Sequence, residues 1–208
     1  MAKVFELNHP LVKQKLTLLR DKETKYKPFR ELAKEITILV AYEAMKGLEV
    51  SEVDVETPLA KTTGYKIKND IVIVPVLRAG VGMLDGVLNL APKSKVGFVG
   101  MYRDSRTKEP IAYYEKLPEN LNDPFFFVID PMVATGGSLI ATIDLIKKYG
   151  HKKISIISIL AAPEGIKAVH DAHPDVTIFT GVVDQCLNEK KYIVPGLGDA
   201  GDRLFGTK

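Results

Sequence analysis

A carboxylate, two hydroxyls and two glycines lie close together in the middle of the chain. Asp130 ends an apolar run and is followed by Thr135, Gly136, Gly137 and Ser138. Glycines allow the positive φ angles and the close backbone approach with which successive N–H groups surround an anion. The helix predicted to begin here adds the positive end of its dipole. The segment therefore suits a phosphate group, with the Asp130 carboxylate able to accept hydrogen bonds from a sugar. The alternative is an ordinary Gly-Gly turn capped by Ser138.

The arginines form a second group of candidate residues. Only six of the 29 basic residues are arginines, and three of these, Arg78, Arg103 and Arg106, lie between positions 78 and 106. Arginine is suited to forked binding of phosphate oxygens. The alternative for each is a surface ion pair, and for Arg106 the two interpretations are evenly balanced.

The C-terminal segment, residues 192–208, contains four glycines and one proline. This content predicts that it forms no regular element, yet it is not polar enough for a frayed tail. Exposed main-chain amides and carbonyls held by tight turns offer donors and acceptors to a flat, polar ligand. The alternative is a packed glycine-rich tail without a ligand.

These candidate residues need a framework that places them together. Short apolar runs alternate with helical patterns, which predicts a mainly parallel sheet flanked by helices in the α/β class. In such sheets ligands bind beyond the carboxyl ends of the strands. The predicted order is helices from Pro10 and from about Pro28 to a C-cap at Gly47, a hairpin within residues 48–68, then strands at 71–77, 96–102, 125–129, 154–160 and 176–183 with helices at 79–90, 138–149 and 163–170.

Length and composition limit the class of protein. The chain has 208 residues, 46% of them apolar, and a formal charge of 29 − 26 = +3. Residues 1–208 are therefore predicted to form one globular domain, and neither a nucleic acid nor a membrane is expected as a partner.

The first ten residues lack the apolar core of a secretory signal. The single cysteine, Cys186, fits a reducing cytoplasm and is expected to be a small buried side chain. His170 and His173 are expected at the surface.

The segment from Asp130 to Ser138 resembles the diphosphate-sugar loop of type I phosphoribosyltransferases, which use 5-phosphoribosyl diphosphate (PRPP). With Pro131 in place of the second acidic residue that most members have, it is similar to the uracil-specific family in particular. The resemblance runs through nearly the whole chain, and the loop together with residues 192–208 is its most specific part. It implies the type I phosphoribosyltransferase fold, with residues 192–208 as a hood over the base.

The resemblance also implies roles for individual residues. The reaction would be transfer of phosphoribosyl from PRPP to N1 of uracil, giving UMP and diphosphate, with Asp130, Arg78 and Arg103 as the catalytic group. Residues 101–116 would include a mobile charged loop that covers PRPP. The expected PRPP-binding residues are Arg78, Arg103, Asp130, Pro131, Met132, Val133, Ala134, Thr135, Gly136, Gly137, Ser138 and Asp199. The expected uracil-binding residues are Tyr192, Ile193, Gly198, Asp199 and Ala200.

Cofactor and partners follow from the same resemblance. Mg²⁺ is expected to bind through PRPP and water, near Asp199. A homodimer or higher homo-oligomer is expected, through antiparallel strands or the opening helices, and GTP is a candidate effector. No residue stands out as the acceptor of the uracil N1 proton. Two alternatives stay open: a PRPP-sensing regulator that binds nucleic acid on the same fold, and a transferase for another nucleobase.

Overall fold

The computed structural model describes residues 3–103 and 110–207, and it describes side chains throughout those ranges except at 101–103 and 110–112. The helices are α1 (Pro10–Arg20), α2 (Tyr26–Ala44), α3 (Val81–Leu90), α4 (Gly137–Lys148), α5 (Pro163–Ala172) and α6 (Ala200–Phe205). The strands are β1 (Val4–Glu6), β2 (Val50–Glu56), β3 (Lys61–Ile67), β4 (Ile71–Leu77), β5 (Lys95–Val96), β6 (Phe98–Arg103), β7 (Pro110–Lys116), β8 (Phe125–Ile129), β9 (Met132–Val133), β10 (Ile154–Ala161), β11 (Thr177–Val183), β12 (Cys186–Leu187) and β13 (Ile193–Val194).

The described residues form a nine-stranded sheet whose main path runs β1-β11-β10-β8-β4-β6-β7. All neighbours on this path are parallel except β6 and β7, which are antiparallel. Two short strands extend it, since β5 pairs with β4 and β9 pairs with β10. The carboxyl ends of β4 and β8 therefore lie side by side, with Pro75 opposite Ile129.

Alternating side chains of the central strands face two separate apolar layers. Ile73 on β4 and Phe127 on β8 pack against α1, α2 and α3, whereas Val74 and Val128 pack against α4 and α5. The period of two is what an extended strand dictates, and burial on both faces explains why these strands are apolar at every position. The predicted α/β class with a mainly parallel sheet is confirmed.

The segment at 192–208 differs from its prediction because it contains regular structure. β13 pairs with β12 in an antiparallel hairpin, and α6 follows. The side chain of Asp199 accepts a hydrogen bond from the Asp202 N–H at 2.9 Å and so caps α6, while Gly206 ends the helix at φ +66°. The glycines thus lie in the turns and at the helix end, and Leu204 anchors α6 in the core beside α2.

Four smaller predictions are wrong. The regular part of α2 ends at Ala44, and Gly47 belongs to a 3₁₀ turn instead of forming its C-cap. The chain from Pro110 to Lys116 is a strand paired with β6, so the expected charged loop does not reach Lys116. Cys186 is exposed, because β12 lies at the surface. His173 is only 5% exposed and lies 3.3 Å from the Asp144 carboxylate.

No helix among the described residues is both long enough and apolar enough to cross a membrane.

Candidate active site

The loop after β8 forms a small polar cavity at the start of α4. Gly136 adopts a left-handed φ of +79° and precedes the first residue of the helix. The cavity has a volume of about 100 Å³ and is lined by Asp130, Met132, Ala134, Thr135, Gly136, Gly137, Ser138 and Leu139. The first N–H groups of a helix have no partner within it, so this end of α4 presents donors and a positive dipole to the cavity.

The same loop is held to the sheet on its opposite side. The Pro131 carbonyl accepts hydrogen bonds from the N–H groups of Ile159 and Leu160, both at 3.1 Å, and the Val133 carbonyl accepts one from Ala162 at 2.9 Å. Pro131 and Val133 are consequently buried and do not line the cavity, unlike the other predicted loop residues. Their part is to fix the loop on β10.

Asp130 lies at the wall of this cavity, half-buried. Its Oδ1 accepts a hydrogen bond from the Met132 N–H at 3.2 Å. Burial raises the pKa of the carboxyl to about 7, and the Met132 N–H opposes that rise. Loss of water disfavours the charged form, and one amide donor compensates for only part of it. A ligand that donates hydrogen bonds to this carboxylate, such as a sugar diol, would stabilise its ionised form.

Arg78 lies in the turn between β4 and α3, close to the C-terminal segment. It follows β4 through a cis Leu77–Arg78 peptide bond, and its side chain is 64% exposed. Its Nη2 lies 3.8 Å from Asp202 Oδ1 on α6. Two residues later Gly80 packs so closely that a Cβ would lie 2.5 Å from the Ile129 carbonyl oxygen. The turn therefore lies between the end of β8 and α6.

A second cavity of about 560 Å³ lies at the C-terminal segment. Its lining includes Tyr192, Gly198, Asp199 and Arg20. Gly196 and Gly198 both have positive φ, at +59° and +83°, and the Val194–Pro195 peptide bond is cis. Ile193 and Ala200 are buried, so any contact of these two with a ligand would have to come from their main chain. Backbone amides held in this way suit a flat heterocycle.

The structure thus brings together most of the predicted residues. The loop residues other than Pro131 and Val133 share one cavity, and Tyr192, Gly198 and Asp199 share another. Arg78 lies 3.8 Å from Asp202, which also lines the second cavity. The backbone of Arg103 ends β6, which pairs with β4 beside Arg78. The side chain of Arg103 and the whole of Arg106 lie outside the described part of the chain.

Two features of the site were not found from the sequence. Asp184, directly after β11, forms an ion pair with Arg20 and binds the Gly196 N–H. Gly165 on α5 packs against the carbonyls of the phosphate loop. A carboxylate at a strand end was a usable signal for Asp184, since the same signal identified Asp130. A glycine near the start of a helix carries no comparable signal.

Comparison with known proteins gives a consistent result. The family model for uracil phosphoribosyltransferase matches residues 6–207. The chain is 52% identical to the uracil phosphoribosyltransferase of Streptococcus pneumoniae serotype 4, with all of both chains covered. It is 53% identical to the uracil phosphoribosyltransferase of Thermosipho africanus, over 99% of this chain and 100% of that one.

Solved structures agree. The AQ2163 protein from Aquifex aeolicus superposes with a TM-score of 0.92 at 40% identity, and 99% of each chain is covered. Adenine phosphoribosyl transferase from Trypanosoma brucei has a TM-score of 0.58 at 14% identity, over 94% of this chain and 87% of that one. The second likeness concerns the fold alone, and it confirms the predicted type I phosphoribosyltransferase fold.

Proposed function

Because the chain belongs to the uracil phosphoribosyltransferase family, we propose that it transfers the phosphoribosyl group of PRPP to N1 of uracil, giving UMP and diphosphate. The observation that carries this proposal is the position of the turn that contains Arg78. Arg78 lies 3.8 Å from Asp202, which lines the cavity at the C-terminal segment, and the same turn packs against the end of β8, directly before the phosphate loop. The two cavities suit the two substrates, and Arg78 suits the diphosphate that leaves. The relatives named above do not favour either a nucleic-acid-binding regulator or another base.

The phosphate loop would hold the ribose 5-phosphate. N–H groups at the start of α4, together with Thr135 and Ser138, would donate to the phosphate oxygens. Asp130 would accept hydrogen bonds from the ribose hydroxyls, which favours its ionised form and offsets the cost of its burial. Met132, Ala134, Gly136 and Gly137 would contribute backbone, while Pro131 and Val133 would hold the loop in position.

Arg78 and Arg103 would stabilise the charge that develops on the leaving diphosphate. Breaking the C1′–O bond leaves positive charge on the ribose and negative charge on diphosphate, so fixed cations near the latter lower the barrier. Arg78 fits this role because its guanidinium is mostly exposed and its contact with Asp202 is long, at 3.8 Å. The pairing of β6 with β4 supports the same role for Arg103, because the backbone of Arg103 ends β6.

Residues of the hood, defined as 192–208, would hold uracil. Main-chain groups of Ile193, Gly198, Asp199 and Ala200 would pair with its alternating carbonyl and N–H groups, and Tyr192 lies at the rim. Holding N1 in line with C1′ contributes roughly 7–11 kcal/mol to barrier lowering in well-oriented reactions. Since the uracil edge is read by amides, stabilisation of the anionic base by these donors can replace a dedicated side-chain base.

The residues near the start of α6 fit a Mg²⁺ ion that arrives with PRPP. Among the described residues there is no cluster of three or more His, Cys, Asp or Glu side chains. Mg²⁺ commonly binds one or two carboxylates while substrate oxygens and water complete its shell, so the donor set at Asp199 and Asp202 suits it. Asp199 would hold it through water. When bound, Mg²⁺ supplies charge neutralisation on the diphosphate oxygens.

We further propose a cytoplasmic, self-associating enzyme built as one domain over residues 1–208. Support for association comes from apolar side chains that the β2–β3 hairpin exposes, among them Val50, Tyr65 and Ile67. A single cysteine is consistent with a reducing compartment. GTP as an effector stays a prediction.

The decisive experiment measures UMP formation from PRPP, Mg²⁺ and one nucleobase at a time. We expect turnover with uracil and little with cytosine, hypoxanthine or orotate, because main-chain donors and acceptors match only one edge pattern. Turnover of hypoxanthine or orotate without turnover of uracil would refute the base assignment. A gel-shift with PRPP present tests the regulatory alternative, and no shift is expected.

A further inference from the structure

A partly buried ion pair lies beneath the hood, and the reaction proposed above gives it no role, although Arg20 lines the hood cavity. Arg20, the last residue of α1, donates from Nη1 to Asp184 Oδ2 at 2.9 Å and from Nη2 to Asp184 Oδ1. The Asp184 side chain is 4% exposed and that of Arg20 is 23% exposed. We infer that Arg20 and Asp184 are positioning residues that set the main-chain geometry of the hood for uracil. The inference rests on the proposed function.

The pair holds both polar groups of one hood residue. Asp184 Oδ2 accepts a hydrogen bond from the Gly196 N–H at 3.0 Å, and Arg20 Nη1 donates to the Gly196 carbonyl at 2.8 Å. A Cβ at Gly196 would clash with the Ile193 carbonyl oxygen, so only glycine fits this tight turn. Because its φ angle, N–H and carbonyl are all constrained, the backbone of Gly196 has one orientation. This orientation sets the direction of the chain that follows.

A second arginine holds the next carbonyl. Arg203 Nη1 donates to the Leu197 carbonyl at 2.9 Å, and its Nη2 donates to the Asp21 carbonyl at 2.6 Å. The Arg203 guanidinium also lies over the Phe29 ring, 4.4 Å from its centre. The carbonyls of Gly196 and Leu197 are therefore both bound to arginines directly before Gly198. The clamp, defined as Arg20, Asp184 and Arg203, connects the hood to the end of α1.

The clamp should affect the binding of uracil more than the binding of PRPP. A base read by main-chain groups gains affinity only if those groups are already oriented, because loop ordering would otherwise subtract from binding. The phosphate loop is instead held by β10 and Ala162, through hydrogen bonds to Pro131 and Val133 that do not involve the clamp side chains. Of the hood residues, only Asp199 is assigned to PRPP. Damage to the clamp should therefore raise KM for uracil much more than KM for PRPP.

The test compares Arg20→Gln, Asp184→Asn and Arg20→Lys with wild type, in steady-state assays that vary uracil and PRPP separately. We expect KM for uracil to rise at least about tenfold in the first two variants, with KM for PRPP within about twofold. Lysine keeps the charge but lacks the fork that reaches both Asp184 and Gly196. Arg20→Lys should therefore give an intermediate KM for uracil. The matched control is Glu35→Gln, which breaks the ion pair between Lys15 on α1 and Glu35 on α2 and should change neither KM.

Each outcome decides a separate question. If wild type makes no UMP, the proposed function fails. If wild type is active and the variants alter both KM values by the same factor, or alter kcat alone, the clamp does not position the hood. Because Asp184→Asn leaves Arg20 without its counter-ion, thermal unfolding is used to check that this variant folds. If Asp184→Asn does not fold, the test rests on Arg20→Lys, because this variant keeps a cation beside Asp184. An unchanged KM for uracil in Arg20→Lys would overturn the inference.

Discussion

Gly165 on α5 packs directly against the phosphate loop, and replacing it by alanine tests whether the position of that loop governs catalysis. A Cβ at Gly165 would clash with the Ala134 carbonyl oxygen and lie 2.7 Å from the Val133 carbonyl oxygen. Both contacts are with backbone, which cannot rotate away as a side chain would. The helix and the loop must therefore separate by roughly 1 Å to restore ordinary contact distances.

The expected effect on stability is small and the effect on catalysis is large. Overpacking of this kind costs about 1–3 kcal/mol, and alanine returns about 1 kcal/mol through its better helix propensity. The free energy of unfolding should therefore fall by about 0–2 kcal/mol. A displacement of about 1 Å in a positioning element costs roughly 10²-fold in rate. We expect kcat/KM for PRPP to fall by about that factor.

The assay is the initial rate of UMP formation at varied PRPP, combined with urea unfolding of the same preparation. Gly47→Ala is the matched control, because a Cβ at Gly47 meets no atom within 4 Å. It should leave both measurements near wild type. A folded Gly165→Ala protein whose kcat/KM for PRPP stays within twofold of wild type would show that the loop tolerates displacement, and the positional argument would be wrong.

Three further predictions concern single side chains. Burial raises the pKa of Asp130 to about 7, so the native state holds a proton that the unfolded chain releases, and stability falls as pH rises from about 4 to 7. Asp130→Asn should remove that loss, which for about three pKa units is roughly 4 kcal/mol at pH 8, and should change little below pH 4, while impairing PRPP use; equal urea midpoints of the two proteins at pH 8 and unaltered PRPP kinetics would contradict this. Arg78→Gln should lower kcat about 10²-fold with an unchanged melting temperature, since the guanidinium is 64% exposed, and a melting temperature that falls with activity would assign it a structural role. Asp199→Ala removes the cap of α6 and should cost about 1 kcal/mol of unfolding free energy, whereas Asp199→Asn should restore most of it; equal stability of the two would exclude the cap.

Local sequence was sufficient for the elements that build the sheet. The runs 71–77 and 125–129 are apolar at every position because a parallel strand covered on both faces exposes no side to water. The phosphate loop was also predictable, since its glycines and hydroxyls are neighbours in the chain. In both cases the physical cause acts among a few neighbouring residues, so local composition and hydrophobic periodicity are enough to predict the element.

Other features depended on contacts between distant parts of the chain. The glycine content of residues 192–208 predicted no regular structure, but packing of Leu204 against the core stabilises α6 there. Likewise β12 leaves Cys186 exposed, although cysteine is commonly a buried residue type. Tertiary packing therefore overrode the local tendencies at both positions.

The sequence by itself determined the sheet class, the phosphate loop and the residue types able to bind a phosphorylated sugar and a flat base. Only the tertiary structure decided which of these residues meet. Arg20 and Asp184 are 164 positions apart, and their ion pair exists because α1 packs beside the end of β11. Arg78 and Asp202 are likewise distant in the chain, and the packing of the turn after β4 beside α6 brings them to 3.8 Å. Periodicity reports which face of an element is buried, but the partner across that face is set by the packing of the whole chain.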